Sequence, residues 1–248
     1  MVLETAGEIM SDQNFGRMES EQSSAAGSIK SASIDDCLEV VISWIEGIAG
    51  KNYFMTPLGD FQAQFGKVNS DDEFYQTRMN YFLEHCVLER AMTGHAGGRS
   101  PLSVFLEQNS DLTANDDASA RHWRSFCGFR HGLFQVMKTG EKEIMVMDLL
   151  AERKLKISSK AGETLKYFPK KSVIQGYIFG QADQYVLGQG LIIHPEAATQ
   201  QILKFLKNHK KYPRFSAQEI ARLMAQTNMR FLRMQHVNPA VIYSGISA

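Results

Sequence analysis

Three side chains that can hold a metal or move a proton fall within ten positions: His122, Cys127 and His131, in the stretch HWRSFCGFRHGLFQV. Imidazole and thiolate are zinc ligands, and a thiol activated by an imidazole is a nucleophile. The spacing argues against both chemistries. On a helix, His122 and Cys127 point about 140° apart, so they diverge. Cys127 and His131 straddle Gly128, where the helix is expected to end, and need not converge. No second Cys or His pair stands nearby, and His85, His95 and His194 could join only through the fold. Cys86 follows His85 in an apolar segment and reads as a core thiol. The expectation is therefore no metal, no cofactor and no catalytic residue. Arg124, Arg130 and His131 are expected to ring the mouth of a sheet as a polar binding surface.

Other motifs carry less. GHAGGRSP has glycines and an arginine but lacks the Lys-Ser/Thr ending of a phosphate loop, and it follows a helix rather than a strand. It reads as a surface loop. No GxSxG, HExxH or dinucleotide fingerprint occurs. A paired-carboxylate site needs only closeness in space, which spacing does not reveal. The most coherent local signal is basic: Lys204, Lys207, Lys210, Lys211, Arg214, Arg222, Arg230 and Arg233 stand against Glu219 alone. Two helices so charged could contact phosphates. Lys207, Lys210, Lys211, Arg222, Arg230 and Arg233 are the residues expected to bind nucleic acid or another anion; ordinary solvated helix faces give the same pattern.

The elements that must position these residues can be read from periodicity and caps. Ser33 with Asp36 opens a helix carrying Leu38, Val41, Trp44, Ile45 and Ile48 at helical spacing, with Gly50 as its stop. KNYFMTPLGDFQAQFGKV reads as a packed loop with one helical turn. Ser70 and Glu73 predict the start of a helix apolar nearly all round, hence central. A short helix follows from Pro101, and another closes near Gly128. After Gly132 the pattern changes to GLFQVMK, EIMVMDLL, RKLKIS, SVIQGYIFG and QYVLGQGLII, five short strands joined mostly by hairpin-length turns. Gly176, Gly188 and Gly190 are expected at bends or bulges inside them. Such a meander tends to close so as to hide its edges. Two helices finish the fold. The second has a capping box at Ser216 and Glu219, a staple between Phe215 and Ile220, and one apolar face comprising Ile220, Leu223, Met224, Thr227, Phe231 and Met234. VNPAVIYSGISA is expected to pack as an extended strap.

Lys plus Arg and Asp plus Glu number 27 each, so whole-chain charge favours neither nucleic acid nor an acidic tail. Three sparse cysteines are no disulfide framework and suit a reducing compartment. No apolar run is long enough to span a bilayer, and the N-terminus lacks a signal-peptide pattern. A cytoplasmic protein without membrane insertion is expected. Residues 1–32 read by composition as a disordered tail.

The block FRHGLFQV, IMVMDLLAERKLKI and VIQGYIFGQADQYVLGQGLIIHP resembles the middle region of poorly characterised bacterial proteins, some of which carry a C-terminal SEC-C zinc motif. The resemblance covers about residues 123–195. It implies a bacterial origin and a small β module flanked by helices, and it supplies no catalytic residue. The cysteine-rich module is missing from this sequence, so no zinc site carries over. The chain is expected to be α+β, with a helical region over 33–130, a five-stranded antiparallel barrel-like module over 131–194, and C-terminal helices with a tail over 195–248 packing on the rest. The expected role is a non-enzymatic protein-interaction or adaptor protein whose partner is another protein. The alternatives are nucleic-acid or anionic-ligand binding through residues 204–233, and an enzyme whose site forms only in space.

Overall fold

The strands of residues 130–193 form a ring. In the computed structural model, which describes residues 33–92, 97–114, 117–160, 162–181 and 184–246, six strands occur: β1 (Arg130–Lys138), β2 (Glu143–Asp148), β3 (Arg153–Ser158), β4 (Val173–Gln181), β5 (Gln184–Leu187) and β6 (Ile192–Ile193). The order is β1-β2-β3-β5-β4, closed by β4 pairing with β1, while β6 adds to β4 outside the ring. The α+β class and the five-stranded barrel match the expectation, but the barrel is mixed. Four seams are antiparallel, and β3 pairs with β5 in parallel through Lys156–Gln184 and Ile157–Tyr185. Parity requires this: strand direction cannot alternate all the way round a ring of five. Two expected features fall outside the described residues, the tail of 1–32 and most of the loop at Gly94 and His95.

Alternation along the strands separates two cores. Phe134, Val136, Ile144, Val146, Leu155, Ile157, Ile174, Ile178, Tyr185 and Leu187 fill the barrel, with Leu165 and Phe168 from the β3–β4 connection. Leu133, Leu149 and Val173 point outward into a second cluster with Ile202, Phe205, Leu206, Ile220, Met224 and Tyr243. Residues Val173–Gly180 of β4 are all buried, because this strand has the barrel interior on one face and helices on the other.

Eight α-helices surround the barrel among the described residues: α1 (Ile34–Ala49), α2 (Met55–Phe65), α3 (Tyr75–Leu88), α4 (Pro101–Gln108), α5 (Ala118–Cys127), α6 (Thr199–Lys211), α7 (Ala217–Arg233) and α8 (Pro239–Ser244). Trp123 and Phe126 of α5 are fully buried at the joint with the sheet, and Phe126 stacks on Phe179 of β4 at 5.2 Å. None of the described helices is long and apolar enough to cross a membrane.

Several boundaries depart from the sequence reading. The segment taken as a loop is the eleven-residue α2, because Pro57 is tolerated in a first turn and Pro57, Phe61 and Phe65 bury one i, i+4 stripe. The box at Ser70 and Glu73 does not form: Asp72 instead accepts the Asn69 N–H at 2.8 Å, and α3 starts at Tyr75 without a side-chain cap. The expected tail strap is α8, capped by Asn238 with Pro239 in its first turn. The box at Ser216 and Glu219 forms as expected, but Met234 ends α7 exposed. QYVLGQGLII is not one strand. Gly188 and Gly190 lie in the turn between β5 and β6, pressed against α3, where a Cβ on Gly190 would come within 2.3 Å of the Tyr81 Cα. Gly176 does lie within β4, as expected.

Gly190→Ala is therefore expected to cost roughly 1–3 kcal/mol through a backbone clash. Gly59→Ala, inside α2 with open space around its Cα, should stabilise by up to about 1 kcal/mol. Urea denaturation of the two variants checks the pair.

Candidate functional site

The α3 helix presents a polar stripe to the sheet. Arg78, Tyr81, His85 and Glu89, the last being the residue that caps the helix, recur at intervals of three or four and so share one face. Strand β1 brings His131 opposite Tyr177 of β4 in the antiparallel register, and the two rings stack at 4.4 Å. Glu89 lies beneath them. Its Oε2 accepts from the Tyr177 hydroxyl at 2.9 Å and is 3.3 Å from the Nδ1 atoms of both His85 and His131. Burial alone would raise the Glu89 pKa, but the hydrogen bonds from His131, His85 and Tyr177 outweigh it and hold the carboxyl far below the usual range.

An ionised Glu89 fixes the direction of a long buried chain of hydrogen bonds. His131 donates from Nδ1, so its Nε2 accepts from the Tyr81 hydroxyl at 2.8 Å. The Tyr81 oxygen accepts from Gln175 Nε2 at 3.1 Å, and that nitrogen also donates to the Ala221 carbonyl at 2.7 Å. Gln175 Oε1 then accepts from His194 Nε2 at 3.2 Å, and His194 Nδ1 accepts from the Tyr243 hydroxyl at 2.8 Å. Tyr243 is hydrogen-bonded to Asn228, whose Oδ1 accepts from Arg78 Nη2 at 2.6 Å. Each donor points toward the carboxylate, from a guanidinium at one end to Glu89 at the other. Burial, then the nearby Arg78 charge, pulls the His194 pKa down to about 3, so this imidazole is neutral. Burial pulls Arg78 down to about 10 and pushes Tyr81 and Tyr177 up.

The end of the chain at Glu89 opens into a cleft of about 180 Å³ between α2, α3, β1 and the first turns of α7. Its lining includes Phe65, His85, Glu89, His131, Gln218 and Arg222. His85 is the accessible imidazole, with its side chain 29% exposed against 9% for His131. Its Nδ1 is taken by Glu89 and by Tyr177 at 3.4 Å, whereas its Nε2 meets no polar group among the described residues. The half-buried residue Arg222 likewise makes no hydrogen bond or close ion pair among them, though, beside the Ser216 hydrogen bonds, its charge helps lower the Glu219 pKa one turn before it. Ser216 and Glu219, also in the lining, satisfy each other's backbone N–H groups in the α7 capping box. The cleft therefore offers one oriented imidazole nitrogen and a guanidinium that makes no hydrogen bond among the described residues.

A second buried carboxyl lies on the flank of α3. Glu84 Oε1 accepts from the backbone N–H of Gln189 at 2.7 Å and of Gly190 at 3.4 Å, while Oε2 has no partner. Burial, only partly offset by those two N–H groups, pushes its pKa up to about 7.

The residues singled out from the sequence separate. His131 and Arg222 meet in the cleft. Arg130, on the opposite strand face from His131, donates from Nε to the Tyr185 hydroxyl at 3.0 Å at the barrel end, and Arg124 donates to the Thr113 carbonyl at 3.1 Å. Lys210 pairs with Glu152, Lys207 and Lys211 are exposed at the end of α6, and Arg230 is exposed on α7. Arg233 and Gln226 are turned onto the end of α2, donating to the carbonyls of Lys67 and Gln64. Cys127 is a half-buried free thiol whose pKa burial pushes up to about 11. Among the described residues no three His, Cys, Asp or Glu side chains are grouped so as to hold a metal ion. His85, Glu89 and Tyr81 were missed from the sequence. The signal available was the i, i+4 run of polar residues within a helix that otherwise reads as apolar. No protein-family model, no curated protein and no solved structure matches this chain.

The two buried titrations act with opposite signs. Glu84 is raised from 4.5 to about 7, so the folded state binds the extra proton and stability falls as pH rises between those values. His194 is lowered from 6.5 to about 3, so the unfolded state binds the extra proton and stability falls as pH drops through that window. Their contributions oppose each other between about pH 4.5 and 6.5 in the wild type. In Glu84→Gln the His194 loss should be unmasked: folding free energies measured by urea denaturation should fall more steeply than wild type as pH drops from 6.5 to 4.5. Parallel profiles for the two proteins would contradict the assignment.

Proposed function

We propose that this chain binds a small anionic molecule in the cleft between α2, α3 and α7, with Arg222 as the partner of the anionic group and His85 as a second polar contact. One observation carries the reading: half-buried Arg222, which makes no hydrogen bond or close ion pair among the described residues, lines a concave site beside an oriented imidazole nitrogen that is likewise without a hydrogen bond. A guanidinium that makes no hydrogen bond to an acceptor leaves hydrogen-bonding capacity unused, and a carboxylate or phosphate oxygen supplies what is missing. The reading ranks anionic-ligand binding ahead of the adaptor role and of nucleic-acid binding. His85 and Arg222 line one cleft, whereas of the other basic residues of 204–233 Lys210 and Arg233 bind different neighbours and Lys207, Lys211 and Arg230 are exposed. The free thiols of Cys86 and Cys127 support a reducing compartment such as the bacterial cytoplasm. Kinship with the SEC-C-bearing bacterial proteins is likewise proposed, on the strand motifs of residues 123–195.

Thermal-shift measurements over a panel of small carboxylates and phosphomonoesters are the direct test. At least one should raise the melting temperature by a few degrees at saturating concentration, and the rise should vanish in Arg222→Gln. A panel without effect on the wild type, or an equal rise in the variant, would remove the reading. Retention on duplex DNA that falls steeply with salt would favour the nucleic-acid alternative instead.

A further inference from the structure

We propose that the cleft is catalytic: His85 Nε2 is a general base that activates water against the carbonyl carbon of a small carboxylic ester bearing an anionic group. The inference rests on the ligand-binding reading and adds a reaction to it. Three features of the geometry carry it.

First, the base is held in one tautomer. With Nδ1–H engaged by Glu89 Oε2 at 3.3 Å, the lone pair is on Nε2, where no group of the described residues competes for it. Glu89 is a positioning residue: it orients the ring and stabilises the imidazolium that forms, as a carboxylate behind a catalytic imidazole does. Tyr177, 2.9 Å from the same oxygen, holds Glu89 in place. The rings of Phe61 and Phe65, at 6.4 and 6.3 Å, cover the flank of His85.

Second, the hydroxyl and thiol side chains described nearest the base are already engaged or buried. The Ser216 hydroxyl caps α7, and the Tyr81 hydroxyl is fixed between His131 and Gln175, with burial disfavouring its ionised form. Cys86 is 2% exposed, and burial pushes its thiol up to about 12. Water is the nucleophile that remains.

Third, Arg222 in the same lining is a cation for an anionic substituent, and Gln64 and Gln218, whose amides could donate to a carbonyl oxygen, belong to that lining too.

The step balances without any further reagent. Water gives a proton to His85 Nε2 as its oxygen bonds to the carbonyl carbon. The tetrahedral intermediate then collapses, the bond to the leaving alkoxide breaks, and the imidazolium returns the proton to that oxygen. The products are a carboxylic acid and an alcohol, and His85 is again neutral.

The test uses the full chain with two probes, the anionic 4-nitrophenyl hemiglutarate and the neutral 4-nitrophenyl acetate. The wild type should hydrolyse the hemiglutarate faster than free imidazole at equal concentration, and His85→Ala should lose about 100-fold or more of that rate. Added imidazole should restore hydrolysis to His85→Ala, which a merely structural role would not allow. Glu89→Gln should lower kcat with KM nearly unchanged, and imidazole should not rescue it. His85→Gln, checked for native circular dichroism, covers the case in which the alanine variant fails to fold. Wild-type hydrolysis no faster than by free imidazole, or equal rates in wild type and a folded His85 variant, would overturn the inference. Equal His85-dependent rates on the two esters would leave catalysis standing and remove the anionic-ligand reading. Arg222-dependent thermal shifts without hydrolysis would do the reverse.

Discussion

A directed chain of buried hydrogen bonds holds this molecule together. It begins at the Arg78 guanidinium, passes through Asn228, Tyr243, His194, Gln175, Tyr81 and His131, and ends at the Glu89 carboxylate. Its members come from α3, β1, β4, α7, α8 and the residue after β6, so the chain links the helical N-terminal region, the barrel and the C-terminal helices. Each buried group left without its partner would cost about 1–3 kcal/mol, so any single broken link is expensive. The same low dielectric that penalises a broken link strengthens an intact chain. Because the chain ends in an ionised carboxylate, the donors run one way and the three imidazoles His85, His131 and His194 each have one tautomer. The cleft inherits its chemistry from that order: only the His85 Nε2 lone pair is left over.

The barrel makes this arrangement possible by presenting one strand to both cores. Strand β4 is buried on both faces, with Ile174 and Ile178 inside the ring and Gln175 and Tyr177 outside it. The outward face would be apolar in an ordinary two-layer packing. Here it carries the glutamine and the tyrosine that meet α3. The turn at Gly188 and Gly190 lets the chain pass close enough to α3 for Glu84 to bind two backbone N–H groups. The close approach leaves Glu84 Oε2 without a partner, in a carboxyl that burial has made easy to protonate.

The elements with strong local signals were legible in the sequence. The box at Ser216 and Glu219 starts α7, Ser33 caps α1, Gly128 ends α5, and the strand pattern after Gly132 is a barrel. Where local signals conflicted, the reading failed. Pro57 and Gly59 hid the helical stripe of Phe61 and Phe65, and the glycines of GQG hid a turn inside what read as one strand. The parallel seam between β3 and β5 follows from counting strands in a closed ring, which an alternating hairpin pattern does not suggest. The HWRSFCGFRH cluster drew attention because its residues are neighbours in sequence, yet only His131 faces the cleft, since α5 and β1 send the others to different surroundings.

Composition, periodicity and capping determined the fold class, the helix and strand content, and most element starts, because these depend on interactions between residues a few positions apart. The candidate site depended on the tertiary structure. His85 and Glu89 are four residues apart, but their partners His131 and Tyr177 come from strands β1 and β4, and Arg222 of the same cleft lining comes from α7, at separations no periodicity encodes. Whether a histidine in an apolar helix is a core residue or a base is decided by which carboxylate holds one of its nitrogens and whether the other nitrogen faces a cavity. Both are consequences of how the barrel packs against α3.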